Sequence, residues 1–341
     1  MSRGPTCTAG QPAQQSIGAP VSRAERTGRP RPGYDDVELV IVGYRSRAEI
    51  EEMLKGLPRD LPLVVVDNFD GGDGLERVLL DRPSARYLTG GGVGFSRAAN
   101  LGARTSQAEF LVFVNPDTRP SLEDIQSLVE DVATDPSCSV SAGIVVDADG
   151  RPEWAVAGWE PTLRRAVVHA LGLHRVFPRQ GLYCHPQRGR ELDVDWVSGS
   201  CMALRRQTFL DLGCFDEDFY VYNDDVALGR QSRARGFHQR LRTDIAIRGS
   251  DGNSGAPSLE MSRLHGSSMS RYLHKHHSRV AAQVIIVVLA LGYIGRALAR
   301  IALGRTGRAR EDWAHAVGLL TGRATVGGRV VAGGRGNRAT G

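Results

Sequence analysis

Lysine is almost missing from this chain: of 43 basic residues only Lys55 and Lys275 are lysines, the other 41 being arginine. No Walker-type glycine loop ends in a lysine, which counts against P-loop phosphoryl transfer. Cysteine is scarce as well. Cys7, Cys138, Cys184, Cys201 and Cys214 stand at irregular spacings without a CxxC pair, which suggests neither a zinc ribbon nor a disulfide framework and fits a reducing, cytoplasmic compartment. The N-terminus lacks the apolar run of a secretory signal. It is mostly Pro, Gly, Ser, Gln and Arg through Gly33, a composition that predicts a disordered basic tail over residues 1–34.

What the chain has is 341 residues and 41% hydrophobic positions, enough for one large core or two modest ones. Its net charge of +5 is unevenly distributed: residues 1–34 carry +4, residues 279–341 carry +8, and the middle carries −7. A nucleic-acid binder would place its basic stripe on the folded domain, so no nucleic-acid partner is expected.

From Val37 onward apolar runs alternate with helical patterns. VELVIVG and LVVVD (Leu63–Asp67) read as buried strands, as does FLVFV (Phe110–Val114), with helices expected over Arg47–Leu57 and Phe95–Thr105. Ser121 followed by Glu123 and Asp124 marks the start of a helix reaching about Thr134, and Ser139–Val146 is a further strand. This alternation predicts an α/β fold with a mostly parallel sheet flanked by helices. Residues 151–191 show no clear period and read as an irregular, substrate-facing insertion. Regularity returns in VDWVSGSCMALRR (Val194–Arg206).

Carboxylates fall at the ends of predicted strands or in the turns after them: Asp67, Asp117 and the pair Asp224/Asp225. In open α/β sheets that edge is where ligands bind. The intervening TGGGVGFSRAANLG lacks the third glycine of the dinucleotide fingerprint, which counts against a nicotinamide enzyme. A sheet edge with carboxylates able to hold a metal and accept a proton suits a diphosphate-bearing substrate.

Five ordered blocks carry a resemblance: VIVGYRS, VVVDN, GVGFSRAANLG, FLVFVNPD and VDWVSGSCMALRR with GCFDEDFYVYNDDVAL. From about Val37 to Gly236 the chain resembles the family 2 glycosyltransferases of the GT-A fold, in particular their bacterial rhamnosyltransferase-like branch. The resemblance implies an inverting glycosyltransferase moving a sugar, plausibly rhamnose, from a nucleotide-diphospho-sugar to a cell-envelope glycan or polyprenyl-diphosphate-linked acceptor. It implies that Val42, Tyr44 and Arg45 line the nucleotide, that Asp67 accepts a hydrogen bond from the base, and that Asn115-Pro116-Asp117 stands at the DxD position. Asp117 would then ligate Mg²⁺ or Mn²⁺, with Asn115 adding an amide. Asp225 would be the base that deprotonates the acceptor hydroxyl and Asp224 its acceptor-binding neighbour, with Trp196, Gly199 and Ser200 beside the bound sugar. Two departures stand out: Ala227 replaces a carboxylate frequent in this branch, and no histidine occurs in IRGSDGNSG, where one is expected. The rival from another class is a catalytically weak sugar-nucleotide-binding or scaffold protein of the same fold.

The division expected is a basic tail (1–34), a GT-A domain (35–278) and a membrane-associated C-terminal region (279–341). Ala281–Gly295 holds a single polar residue, Gln283, and arginines follow it. Fifteen residues make about 22 Å of helix, short of the ~30 Å hydrocarbon core. An interfacial or re-entrant helix with arginines at anionic headgroups is therefore expected ahead of a helix packed on the core or a single span, and with it a peripheral place at the inner face of the plasma membrane.

Overall fold

The computed structural model describes residues 32–69, 72–153, 155–186, 189–249, 258–326 and 329–332. The basic tail 1–31, Trp154 and the stretch 250–257, where a histidine was sought, lie outside them. Strand β1 (Val37–Gly43) is buried along its whole length and founds a nine-stranded sheet. Helix α1 (Arg47–Lys55) turns Ile50, Met53 and Leu54 inward and returns the chain to β2 (Leu63–Asp67), which runs parallel to β1 with Leu63 opposite Leu39. Strand β3 (Ala85–Thr89) adds outside β2. Helix α2 (Phe95–Thr105) leads to β4 (Phe110–Val114), parallel to β1 on its other side. This parallel half is covered on both faces, which is why its strands read as unbroken apolar runs.

After the short strand β5 (Thr118–Arg119), helix α3 (Leu122–Thr134) begins with a capping box: Ser121 Oγ accepts the Asp124 amide at 3.1 Å, and the Asp124 carboxylate accepts the Ser121 amide at 2.8 Å. Strand β6 (Cys138–Val146) follows. The stretch expected to be irregular is partly ordered: it contains β7 (Ala157–Gly158), helix α4 (Leu163–Ala170) and two 3₁₀ turns, Leu173–Arg175 and Pro178–Gln180. Eight residues are too few for stable helix in isolation, and α4 is held by burying Ala166 and His169.

Strands β8 (Glu191–Val194), β9 (Trp196–Val197) and β10 (Cys201–Arg205) come next, and β10 enters the sheet antiparallel between β4 and β6. Helix α5 (Arg206–Asp211) and helix α6 (Asp224–Ala234) precede β11 (His238–Gly249), which is parallel to β6 and gives the order β3-β2-β1-β4-β10-β6-β11-β5, with β8 on β11. Cys138, Cys184, Cys201 and Cys214 are buried free thiols.

The C-terminal helices α7 (Ser258–His276), α8 (Arg279–Ala302) and α9 (Thr306–Thr321) end in a hairpin of β12 (Ala324–Val326) and β13 (Arg329–Ala332). Helix α8 is 24 residues long, well beyond Ala281–Gly295. It continues through Arg296 and Arg300 because each finds a local partner. The Arg296 guanidinium lies 4.1 Å from the Tyr293 ring centroid, and Arg300 pairs with Asp312 at 2.6 Å. Nor is α8 a helix lying by itself on a surface. Ile285, Ile286, Leu289 and Tyr293 enter one core with Trp196, Phe219, Val226 and Tyr272.

Candidate active site

The C-terminal ends of β1, β2 and β4 meet at one edge of the sheet. Tyr44 and Arg45 leave β1, Arg45 with φ +54° and its guanidinium 4.6 Å from the Phe69 ring centroid. Asn115 leaves β4 and is pinned there: its amide donates to the Ser200 carbonyl at 2.8 Å, and its carbonyl accepts the Thr118 hydroxyl at 2.8 Å. These ends open into a cleft lined by Val42, Tyr44, Arg45, Asn68, Asn115 and Asp117 on the sheet side. The far side consists of Phe95, Tyr220, Val221, Met261, Leu264 and Val326.

Asp67 is not among these lining residues. Its carboxylate is fully buried and accepts the Tyr87 hydroxyl at 2.7 Å and the Phe69 amide at 2.8 Å, shaping the turn that carries Asn68. Asp117 does face the cleft, and burial raises its carboxyl above the usual range, with Arg119 nearby opposing the shift.

Asp224 and Asp225 open helix α6 after a sharp approach in which Tyr222 and Asn223 both adopt left-handed backbone, φ +66° and +61°. Such a conformation is uncommon for Asn and an outlier for Tyr, and strain of this kind concentrates at functional sites. The approach is held from two sides. Asn100 Nδ2 donates to the Phe215 carbonyl at 2.9 Å and its Oδ1 accepts the Phe215 amide at 3.0 Å, while the Phe95 amide donates to the Tyr220 carbonyl at 2.7 Å. Gly94 makes the second contact possible, because a Cβ there would sit 2.5 Å from the Tyr220 carbonyl oxygen.

Both carboxyls of the pair are raised well above the usual carboxylate range, Asp224 chiefly by burial and Asp225 by burial and then by the neighbouring Asp224 charge. Asp225 Oδ1 accepts the Val226 amide at 2.8 Å. The departure at Ala227 fits its surroundings: this position is fully buried in the core that includes Tyr272 and Trp196, where an unpaired carboxylate would be costly.

Asp225 borders two spaces. One it shares with Phe95, Asn115, Gly199, Val221 and Asp224, toward the cleft; the other it shares with Trp159, Tyr183, Trp196, Asn223, His265 and Met269. Trp196 is buried with its indole N–H donating to the Trp159 carbonyl at 3.3 Å, so it offers a wall rather than a free polar edge. The Trp159 indole N–H is buried and has no partner among the described residues. Ser200 lines neither space and acts through its carbonyl on Asn115. Glu160 locks this side to the helix of the pair, accepting Arg230 at 2.7 Å, Arg233 and the Tyr272 hydroxyl at 2.7 Å.

Sequence reasoning missed the wall made by Tyr220, Val221, Met261, Leu264 and Val326. The aromatic run FYVY, one residue before the acidic pair, was the available signal for the first two. His265 sits on the second space beside Asp225 and packs against Tyr222 and His315. Arg248 is exposed on β11 opposite Arg119.

The sequence profile described as Glycosyl transferase family 2 matches residues 38–210, half of the chain, including β2, β4 and all but the first residue of β1. The chain belongs to glycosyl transferase family 2. Curated relatives of this family 2 glycosyltransferase include the N-acetylglucosaminyl-diphospho-decaprenol L-rhamnosyltransferase of Mycobacterium tuberculosis, 29% identical over 57% of this chain and 69% of the relative. The low-salt glycan biosynthesis hexosyltransferase Agl10 of Haloferax volcanii is 25% identical over 58% of this chain and 62% of its own length. Rhamnosyltransferase WbbL of Escherichia coli is 22% identical over 56% and 75%. Among solved structures, the mannosyltransferase PcManGT from Pyrobaculum calidifontis, in complex with GDP-Man and Mn²⁺, superposes with a TM-score of 0.51 and 17% identity over 87% of this chain and 92% of its own. That similarity shows the shared GT-A fold.

Among the described residues no three His, Cys, Asp or Glu side chains converge into a metal site. The glycosyltransferase cleft offers the Asp117 and Glu49 carboxylates, with the Asn115 amide two residues before Asp117. This set fits a hard cation that takes its remaining oxygens from a diphosphate and water, and does not fit a resident ion held by the protein alone.

Proposed function

We propose that this glycosyltransferase transfers a sugar, plausibly rhamnose, with inversion from a nucleotide-diphospho-sugar to a cell-envelope glycan or polyprenyl-diphosphate-linked acceptor at the cytoplasmic face of the membrane. The observation that carries the reading is the place of Asp225, between the cleft at the ends of β1 and β4 and the aromatic space of Trp159, Tyr183 and Trp196. The nucleotide diphosphate occupies the first and the acceptor sugar the second, where aromatic faces suit a pyranose.

The acceptor oxygen attacks the anomeric carbon from the Asp225 side, the bond from that carbon to the diphosphate oxygen breaks, and the hydroxyl proton passes to Asp225. The nucleoside diphosphate leaves with the electron pair. Burial raises the proton affinity of Asp225, which brings it toward that of a useful base near neutrality. Arg45 stands in the same cleft as a fixed cation for phosphate. Asp117 and Asn115 would hold Mg²⁺ or Mn²⁺, which would supply further positive charge for the departing diphosphate.

The test is nucleotide release by the purified protein from dTDP- and UDP-sugars, with and without Mn²⁺, beside Asp225→Asn. Metal-stimulated release from one donor class, falling by about 10²–10⁴-fold in the variant, is expected. Donor binding with no release, the same in both proteins, would establish the scaffold reading instead.

A further inference from the structure

Helices α4 and α8 pack so closely that a Cβ on Gly292 would lie 2.6 Å from the Ala170 Cα. Each buries one face and leaves an apolar face in solvent. On α8 the outward stripe is Val280, Val284, Val287, Leu291 and Leu298, at helical spacing opposite the buried Ile285, Ile286, Leu289 and Tyr293. On α4 it is Leu163, Val167 and Leu171, and the 3₁₀ turns beyond it hold up Val176 and Phe177, 70% and 54% exposed. An apolar surface this extensive is unusual on a soluble monomer and marks a place of interaction.

Charge identifies the partner. Residues 161–190 and 278–310, which carry these two faces, contain twelve arginines and no aspartate or glutamate. Arg164, Arg175, Arg179, Arg279, Arg305 and Arg308 are exposed and form no ion pair among the described residues. A surface for another protein would ordinarily mix signs at its rim. Apolar side chains ringed by unpaired arginines suit acyl chains beneath anionic headgroups. A transmembrane crossing by α8 would strip the side of the helix that is built into the core with Trp196 and Tyr272.

We propose that α4 with its following turns and the outer stripe of α8 form one docking face for an anionic bilayer, entered to the depth of the interface. This deepens the lipid-linked-acceptor reading and rests on it for its purpose. The segment that carries α4 also supplies Trp159, Pro161, Leu182 and Tyr183 to the space beside Asp225, so docking brings the acceptor side of the site to the membrane.

Sedimentation of the full chain with phosphatidylcholine vesicles, with and without phosphatidylglycerol, tests the face. Binding is expected to require phosphatidylglycerol, to weaken with salt, and to fall at least about tenfold in Val176→Glu/Phe177→Glu, which puts two carboxylates where apolar side chains would enter an anionic interface. Leu80→Glu, an exposed leucine elsewhere, serves as the control and should bind as the parent does. Donor hydrolysis without lipid should be unchanged in all of them, which separates docking from folding. Equal vesicle binding by the double variant overturns the proposal, as does a parent that is dimeric, ignores vesicles and becomes monomeric on substitution. Vesicle binding as expected with no donor turnover would leave the docking face standing and remove the transferase reading.

Discussion

Asp225 and Asp224 share one environment and differ in what that environment does for them. As the proposed base, Asp225 must be deprotonated to work, so a carboxyl raised by burial places the acid limb of kcat/KM above the ordinary carboxylate range. The pH profile of nucleotide release should therefore lose activity as pH falls through a value nearer neutrality than 4. A limb at the usual carboxylate value would show that the Asp225 environment opens before catalysis. Asp224 provides a stability counterpart. Its folded-state proton affinity exceeds the unfolded one, so the folded state binds more protons and loses stability as pH climbs from the unfolded value to the raised one. The loss persists above both. Asp224→Asn removes that penalty and should raise Tm at neutral pH while leaving Tm near pH 3 unchanged, as read by thermal unfolding at the two pH values. A lower Tm at neutral pH would mean that the carboxylate is stabilised by its amide contacts more than burial opposes it.

At the scale of elements, the site depends on loops that are short, strained and tied to the sheet by few bonds. Asn100, fully buried on α2, grips the Phe215 backbone in both directions and thereby sets the entry to the acidic pair 9 residues further on. Asn100→Ala leaves a buried amide and carbonyl without partners, a cost of about 1–3 kcal/mol. Chemical denaturation should show that loss with an unchanged m-value, and donor release should fall along with it. An unchanged stability would mean that water replaces the Asn100 side chain. The strands of this framework were legible because parallel strands covered on both faces are apolar throughout, as in β1, β2 and β4. The Ser121 cap was legible because its chemistry is local. The reversed direction of β10 was not, since nothing in CMALR distinguishes parallel from antiparallel pairing. Helix α4 was hidden for a related reason: only two of its residues are buried, and their partner α8 lies over a hundred residues away.

At the scale of the whole molecule, the C-terminal region belongs to the catalytic unit more intimately than its composition suggests. Asn115 and Asp117 follow the apolar run FLVFV, so their place at the sheet edge was legible, whereas Asp225 opens a helix instead of ending a strand and was pointed to by the family resemblance. The opposite wall was not legible, because Met261, Leu264 and Val326 are ordinary apolar residues that become cleft lining only through the packing of α7 and the hairpin. Val326 reaches the cleft from β12, whose Ala324 packs against Leu264. Ending the chain after Arg323 should therefore open one side of the proposed nucleotide cleft while leaving Asp225, Asp117 and the outer stripe of α8 in place. Steady-state nucleotide release should show a KM for the donor raised several-fold with kcat largely kept, the pattern expected when a wall contributes equally to ground-state and transition-state binding. A fall in kcat with KM unchanged would assign the hairpin instead to the alignment of the reacting groups, and would place its influence on Tyr220 and the approach to the acidic pair.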